Sequence, residues 1–518
     1  MEEKLGERRP HFFHRLVAHP VDIASLATFR LLFGLLMCTA MVRFLAKGWV
    51  REFYVAPQFH FTYPGFEWVQ PWPDFWMHAH FVLLALLALG IGLGFFYRAC
   101  TVLFFLGFTY VELLDQTTYL NHYYLISLLS GLLIFLPAHR AWSIDAWLKP
   151  KLRTSSVPAW CLNLLRFQVA VVYIFAGLAK FNVDWLFRAE PLRIWLAARS
   201  DLPLIGPWLS QLWVAYAASW FGAFFDTFIV FFLLARRTRR AAYFVLIAFH
   251  VATWVLFHIG MFPWIMIVAA TILFPSDWPH FWLRRLVQFT SISLTPRFTQ
   301  SLQFEPRVLP HPRPGSARRF TKQRSPGSLA NVLPLPEEEG RGEGEQRIRR
   351  TNPSLSERSI PCHAGWRLIL PLTLYAAIQL VLPLRPYFQS QPSAWTCSGF
   401  NCAWQVMIVE KTGYSEFFSV NPETGQKQRI PIDRFLTPRQ KTMMDQDPFL
   451  IRDMARRLPA VLQNSRSLEI HVDAFATLNG RPNQRIINPD VDLAGPLPNN
   501  WITPLASRES WSGLLSRR

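Results

Sequence analysis

Seven ionisable side chains fall inside or at the edge of long apolar runs: Arg30, Glu112, Asp115, Arg166, Lys180, Asp226 and His250. A charge in hydrocarbon is costly, so such groups are functional candidates unless they neutralise one another. Arg30 and Arg166 are expected to pair with Asp226 or Glu112 and, with Asp115, to serve as structural intramembrane charges. Lys180 differs. It ends the run Tyr173-Ile174-Phe175-Ala176-Gly177-Leu178-Ala179 and is followed by Phe181. Between Phe175 and Phe181 it is partly desolvated, which favours a neutral amine and therefore a general base. The same residue types also fit a lysine that snorkels to the interface. His122 precedes one apolar run, His258 closes another, and His250 lies about two turns before it. The pattern brings Lys180, His122, His250 and His258 towards one face of a bilayer, within reach of a lipid-soluble substrate. Read singly, His250 also fits a hydrogen-bonded core histidine, and His258 an interfacial one.

These residues must be positioned by membrane helices. The chain has 518 residues, 51% hydrophobic and 17% charged. Soluble proteins carry about 25% charged residues, so the composition excludes a mostly disordered chain and argues against a soluble enzyme. The net charge of +19 reads as basic inner loops and not as nucleic-acid binding. Nine apolar stretches are long enough to matter, at roughly 23–44, 77–96, 99–114, 123–137, 158–180, 212–235, 241–257, 261–275 and 365–384. Several are nearer 15 than 20 residues, which leaves room for re-entrant or interfacial segments. The fold expected is a polytopic α-helical membrane bundle of about eight to nine spans with a C-terminal β-rich or α+β extramembrane domain.

With the N-terminus inside, the short inner segments hold thirteen Lys and Arg and the outer loops five. The cluster Arg236-Arg237-Thr238-Arg239-Arg240 then reads as an inner loop. Nine spans put the C-terminal region outside, which in a bacterium is the periplasmic side of the inner membrane. Four domains are expected: a bundle at 1–302, a disordered linker or insertion at 303–360, a last transmembrane helix at 361–385 and an extracytoplasmic domain at 386–518. The linker, with PEEEGRGEGEQRIRR at its centre, has no apolar periodicity and cannot bury a core. In the last domain AWQVMIVE, EFFSV and SLEIHVDAFATL read as strands, Asn421 to Gly425 as a turn, and 437–465 as helical. Cys397 and Cys402 lie outside on this topology, where they form either a local disulfide or two free, small core residues. No CxxC pair and no zinc-like spacing is present.

Several motifs in order resemble the vitamin K-dependent gamma-glutamyl carboxylase family and its bacterial HTTM relatives. They are VDIASLATFRLLFG from Val21, LDQTTYLNHYYL from Leu114, WSID from Trp142, YIFAGLAKFNVDW from Tyr173, Phe249-His250, IGMF from Ile259 and FPSDWP from Phe274. After the linker come AWQVM, NGRPNQRIINPDVD and Trp501. The resemblance implies a multi-span bundle with a β-rich lumenal domain. It implies that a lysine deprotonates vitamin K hydroquinone and that O2 carries the anion to the 2,3-epoxide. The strong base so formed takes a proton from peptide glutamate, and the carbanion adds CO2, with no metal. Lys180 stands at the family's catalytic lysine and His122 at the histidine of the carboxylation step. His250 stands near the quinone, and Trp395, Phe400 and Trp404 match an aromatic stretch at the junction of bundle and outer domain. The partners implied are the lipid bilayer, a membrane quinol and a glutamate-containing peptide or protein.

Three departures from the family fall on the peptide side. No cysteine is available in 45–76 or after 437 for the animal-type disulfide between bundle and outer domain, a family histidine is replaced near Pro386, and Gly399-Phe400-Asn401-Cys402 lacks the family's tyrosines. The alternatives are a quinol epoxidase without efficient carboxylation and a non-catalytic membrane binding protein.

Overall fold

The structure is a computed structural model that describes residues 16–257, 259–290, 365–462 and 468–503. Residues 1–292 and 369–518 pack as one unit. The expected linker at 303–360 and His258 lie outside the described residues, and of residues 293–368, which cluster separately, only 365–368 are described.

The apolar stretches fold as helices because a backbone in hydrocarbon must satisfy its own hydrogen bonds. They are α1 (Ala24–Ala46), α2 (Asp74–Leu93), α3 (Tyr97–Leu113), α4 (Asn121–Phe135) and α5 (Trp160–Ala179), followed by two short helices, α6 (Val183–Phe187) and α7 (Leu192–Ala197). Then come α8 (Leu212–Leu234), α9 (Arg239–Leu256), α10 (Phe262–Ala270), α11 (Trp278–Thr290) and α12 (Gly365–Val381). Among the described residues six helices are long and apolar enough to cross a membrane: α1, α2, α5, α8, α9 and Ile369–Phe388. Of the expected eight to nine spans, six are such helices; Asn121–Phe135 and Phe262–Leu273 are shorter apolar helices, and α3 is a 17-residue helix.

Small residues set the closest approaches in the bundle. A side chain on Gly34 of α1 would strike the backbone of Gly92 on α2, and one on Gly177 of α5 would come within 2.6 Å of the Thr227 nitrogen on α8. The second contact matters for the site, because it seats the end of α5 against the middle of α8.

The arginines satisfy backbone carbonyls and not carboxylates, which corrects the expected pairing. Arg30 donates to Ile91 O at 3.2 Å and Trp142 O at 2.6 Å. Arg166 donates to Ile272 O at 2.9 Å, Phe274 O at 2.7 Å and Asn163 Oδ1 at 3.2 Å. Each reaches carbonyls at or just beyond the ends of other helices, so a guanidinium fork finds acceptors without an acid. Asp115 is likewise not inside a span. It follows α3 and accepts Thr117 N at 2.8 Å and Gln440 Nε2 at 2.7 Å.

The C-terminal region is α+β. Besides the pair β1 (Pro20–Asp22) and β2 (Ser156–Pro158) in the bundle, a four-stranded antiparallel sheet here has the order β4-β3-β5-β6, with β3 at Lys411–Val420, β4 at Lys427–Ile430, β5 at Glu469–Leu478 and β6 at Gln484–Arg485. β5 alternates as expected, burying Ile470, Val472, Ala474, Ala476 and Leu478. α14 (Pro448–Val461) belongs to the same core through Ile451, Met454, Ala455 and Leu458. Two readings change. The helical region 437–465 is two helices, α13 (Pro438–Met444) and α14, because Asp447 caps the second and Pro448 starts it. AWQVMIVE is not a strand: Trp404 and Met407 take φ of 54° each, which breaks an extended run.

The C-terminal region grips the bundle. Arg481 Nη1 and Nη2 bind Asp184 of α6 at 2.9 and 2.6 Å, and Asn479 Nδ2 binds Asp184 Oδ2 at 3.0 Å. The loop between α1 and α2 joins the other side, with Phe61 buried in the C-terminal core and Gln440 Nε2 donating to Phe59 O at 2.7 Å.

Candidate functional site

Lys180 caps the end of α5 and is 4% exposed. Its Nζ lies 2.9 Å from Asp226 Oδ2 on α8 and donates to Ala176 O at 3.1 Å and Val406 O at 3.3 Å. The Trp185 ring centroid stands 5.2 Å away. Burial of the amine agrees with the sequence reading. Its surroundings do not: the expected aromatic-flanked neutral amine is one half of a buried ion pair. Asp226 stands fourteen residues after the start of α8 and ten before Arg236. That places it about 21 Å from the helix start and about 15 Å from the arginine cluster.

The pair opens onto a cavity of about 410 Å3 lined by Tyr173, Lys180, Asp226, His250, Phe262, Val406 and Met407 among mostly apolar neighbours. That volume suits a small-molecule site. On one side the wall is thin. Phe221 of α8 and Phe244, Val245, Ala248 and Ala252 of α9 line the cavity and are also exposed on the helix surface. The cavity therefore borders the face that these helices turn to lipid.

His250 is buried, and its Nε2 lies 2.9 Å from Tyr173 Oη. Among the described residues its Nδ1, itself shut off from open space, has no partner. His122 is also buried but does not line the cavity. Its ring and that of His250 each lie 6.0 Å from Phe262, which does line it. So Lys180 and His250 share one chamber, and His122 stands one ring behind it.

The aromatic stretch is distributed differently from expectation. Trp395 is buried in the core of the C-terminal domain, and Phe400 packs against that core. Trp404 is buried in the bundle core, 5.2 Å from the Tyr124 ring. None of the three lines the Lys180 cavity; their neighbours Val406 and Met407 do. Cys397 and Cys402 are free thiols, so the local bridge does not form. The Cys397 thiol points to Gln446 O at 3.7 Å, whereas Cys402 N is held by Tyr119 Oη at 2.7 Å. Among the described residues no group of three or more His, Cys, Asp or Glu is placed to hold a metal ion.

The HTTM domain model matches residues 18–278, half of the chain, and the model described as the vitamin K-dependent gamma-carboxylase, lumenal domain, matches residues 366–508. The chain belongs to the vitamin K-dependent gamma-carboxylase family. No solved structure matches it. As a carboxylase-family protein with six apolar helices and an HTTM domain, it is an integral membrane protein. The vitamin K-dependent carboxylase family implies vitamin K hydroquinone, O2 and CO2 as reactants and a glutamate-containing substrate. Both matched regions of this carboxylase-family chain build the cavity: Lys180, Asp226 and His250 fall in the first, Val406 and Met407 in the second.

Lys180 and His250, singled out in the sequence, both line the cavity; Tyr173 and Val406, which the sequence did not single out, line it too, and Asp226 meets Lys180 and not an arginine. The available signal was Gly177, three residues before Lys180: a helical glycine in an apolar run marks a close helix approach.

Proposed function

We propose that this protein is a vitamin K-dependent gamma-glutamyl carboxylase-like membrane enzyme with quinol epoxidase activity. The observation that carries the reading is a buried lysine amine inside an apolar cavity that borders lipid-facing helix surface. A hydroquinone is apolar and partitions into the bilayer, and the thin wall between α8 and α9 is where it enters. The fit of the cavity to such a substrate is supported by its largely apolar lining.

In this reading Lys180 takes the proton of the bound hydroquinone. The quinol and O2 then supply the epoxide and the strong base that drives CO2 onto peptide glutamate. The chain keeps that base from water by closing the cavity with Val406, Met407 and Phe262. His122, behind Phe262, serves the glutamate step. The N-terminus lies in the cytoplasm and the C-terminal domain outside a bacterial inner membrane, with domains at 1–302, 303–360, 361–385 and 386–518.

A second reading, quinol epoxidation without efficient carboxylation, is favoured by one observation. Trp395 and Trp404 are core residues and not walls of an open peptide groove. One assay on purified protein with vitamin K hydroquinone separates the readings. Epoxide with labelled CO2 in a glutamate peptide supports the carboxylase, epoxide alone the epoxidase, and neither product a non-catalytic binding protein.

A further inference from the structure

We infer that Asp226 is the proton-holding partner of Lys180: it receives the proton that Lys180 must give up before its amine can take one from the quinol. The inference rests on the functional reading above and concerns how that site works.

A primary ammonium has three N–H donors and no lone pair. Lys180 Nζ has three acceptors around it, the carbonyls of Ala176 and Val406 and the carboxylate of Asp226. This is the environment of an ammonium, and an ammonium is not a base. A lone pair appears on Nζ only when one proton leaves. A carbonyl oxygen is far too weak a base to take that proton, whereas a carboxylate can accept it, and in a buried site the neutral amine and carboxylic acid avoid the cost of holding two charges. The proton therefore passes along the 2.9 Å contact to Asp226 Oδ2.

Protons and charge then balance. The resting pair carries an ammonium and a carboxylate, net zero. Transfer within the pair gives an amine and a carboxylic acid, again net zero. The amine next takes one proton from a quinol hydroxyl; the oxygen keeps the bonding electrons. The final state is ammonium, protonated Asp226 and quinolate, still net zero. No unbalanced charge appears in the buried site, where it would be heavily penalised.

Among the described residues the other titratable groups on the cavity are Tyr173 of α5 and His250 of α9, which bond each other. On α6, Asp184 is engaged by Arg481 and Asn479. The segment with Val406 and Met407 brings no titratable side chain to the cavity. Asp226 acts through Lys180, so it is a positioning residue.

The test uses the full-length protein in lipid nanodiscs, with epoxide formation followed against vitamin K hydroquinone concentration and pH. For Asp226→Asn, kcat falls about 100-fold while KM changes little. The residual rate climbs with pH, because the amine must now lose its proton to bulk water; the wild type shows no such climb over the same range. Asp226→Glu regains most of the rate. An Asp226→Asn protein that matches the wild type in kcat and pH profile overturns the inference. So does one that loses kcat and KM together with no recovery in Asp226→Glu, since that is a structural loss. Lys180→Met is run in parallel: epoxidation retained there overturns the functional reading of the site itself, whereas its loss beside an unimpaired Asp226→Asn overturns only the role of Asp226.

Discussion

Tyr173 Oη lies 2.9 Å from His250 Nε2, joining α5 to α9 across the back of the Lys180 cavity. Whichever atom carries the shared proton, the bond occupies Nε2 and fixes the ring against α5; among the described residues Nδ1 has no partner. Tyr173→Phe removes the bond that holds this buried imidazole. We expect a loss of about 1–3 kcal/mol in stability, with a several-fold rise in KM for the quinol and a smaller effect on kcat. Thermal unfolding in detergent and substrate-dependence of epoxidation check both.

The fold was legible where the signal is local. Nine apolar runs became nine helices because hydropathy and backbone satisfaction act within each segment. The ion pair was not legible in the same way. The sequence offers Asp226 the arginines Arg30 and Arg166, and only helix adjacency points to Lys180 instead. Both arginines reach carbonyls at helix ends, while Gly177 lets α5 close on Thr227, the residue next to Asp226. AWQVMIVE misled because an apolar run of β-formers reads as a strand, although Trp404 and Met407 turn the chain so that Val406 reaches Lys180.

His122 is separated from the cavity by Phe262. We expect His122→Ala to reduce CO2 incorporation into a glutamate peptide far more than epoxide formation, so that the ratio of the two products falls. Measuring both products in one reaction gives that ratio; equal losses would instead assign His122 a general structural role.

Arg481 and Asp184 form a two-pronged pair whose side chains are 12% and 5% exposed. Replacing Arg481 takes two charged hydrogen bonds from a buried carboxylate that Asn479 still holds. Arg481→Met should cost about 1.5–3 kcal/mol and should loosen the C-terminal domain from α6. Limited proteolysis and thermal unfolding read this out, with quicker cleavage and a lower Tm expected.

Burial pushes the Asp447 carboxyl up from 3.8 to about 6, against the opposing hydrogen bond from Phe449 N and the charge of Lys411. The folded state thus holds the Asp447 proton more tightly than the unfolded state. The stability this contributes is fully present below about pH 3.8 and is lost as pH rises through about 6. Asn caps a helix as well as Asp does. Asp447→Asn should therefore raise Tm at neutral pH, and the gain should vanish as pH falls through the window between the two values. Tm measured across that window checks the sign.

The central claim is that the buried amine of Lys180 starts the chemistry. The direct measurement is vitamin K epoxide formed by Lys180→Ala, compared with the wild type at equal amounts of membrane-inserted protein. The account predicts that the variant inserts and forms no epoxide. Epoxide formed at the wild-type rate would contradict it.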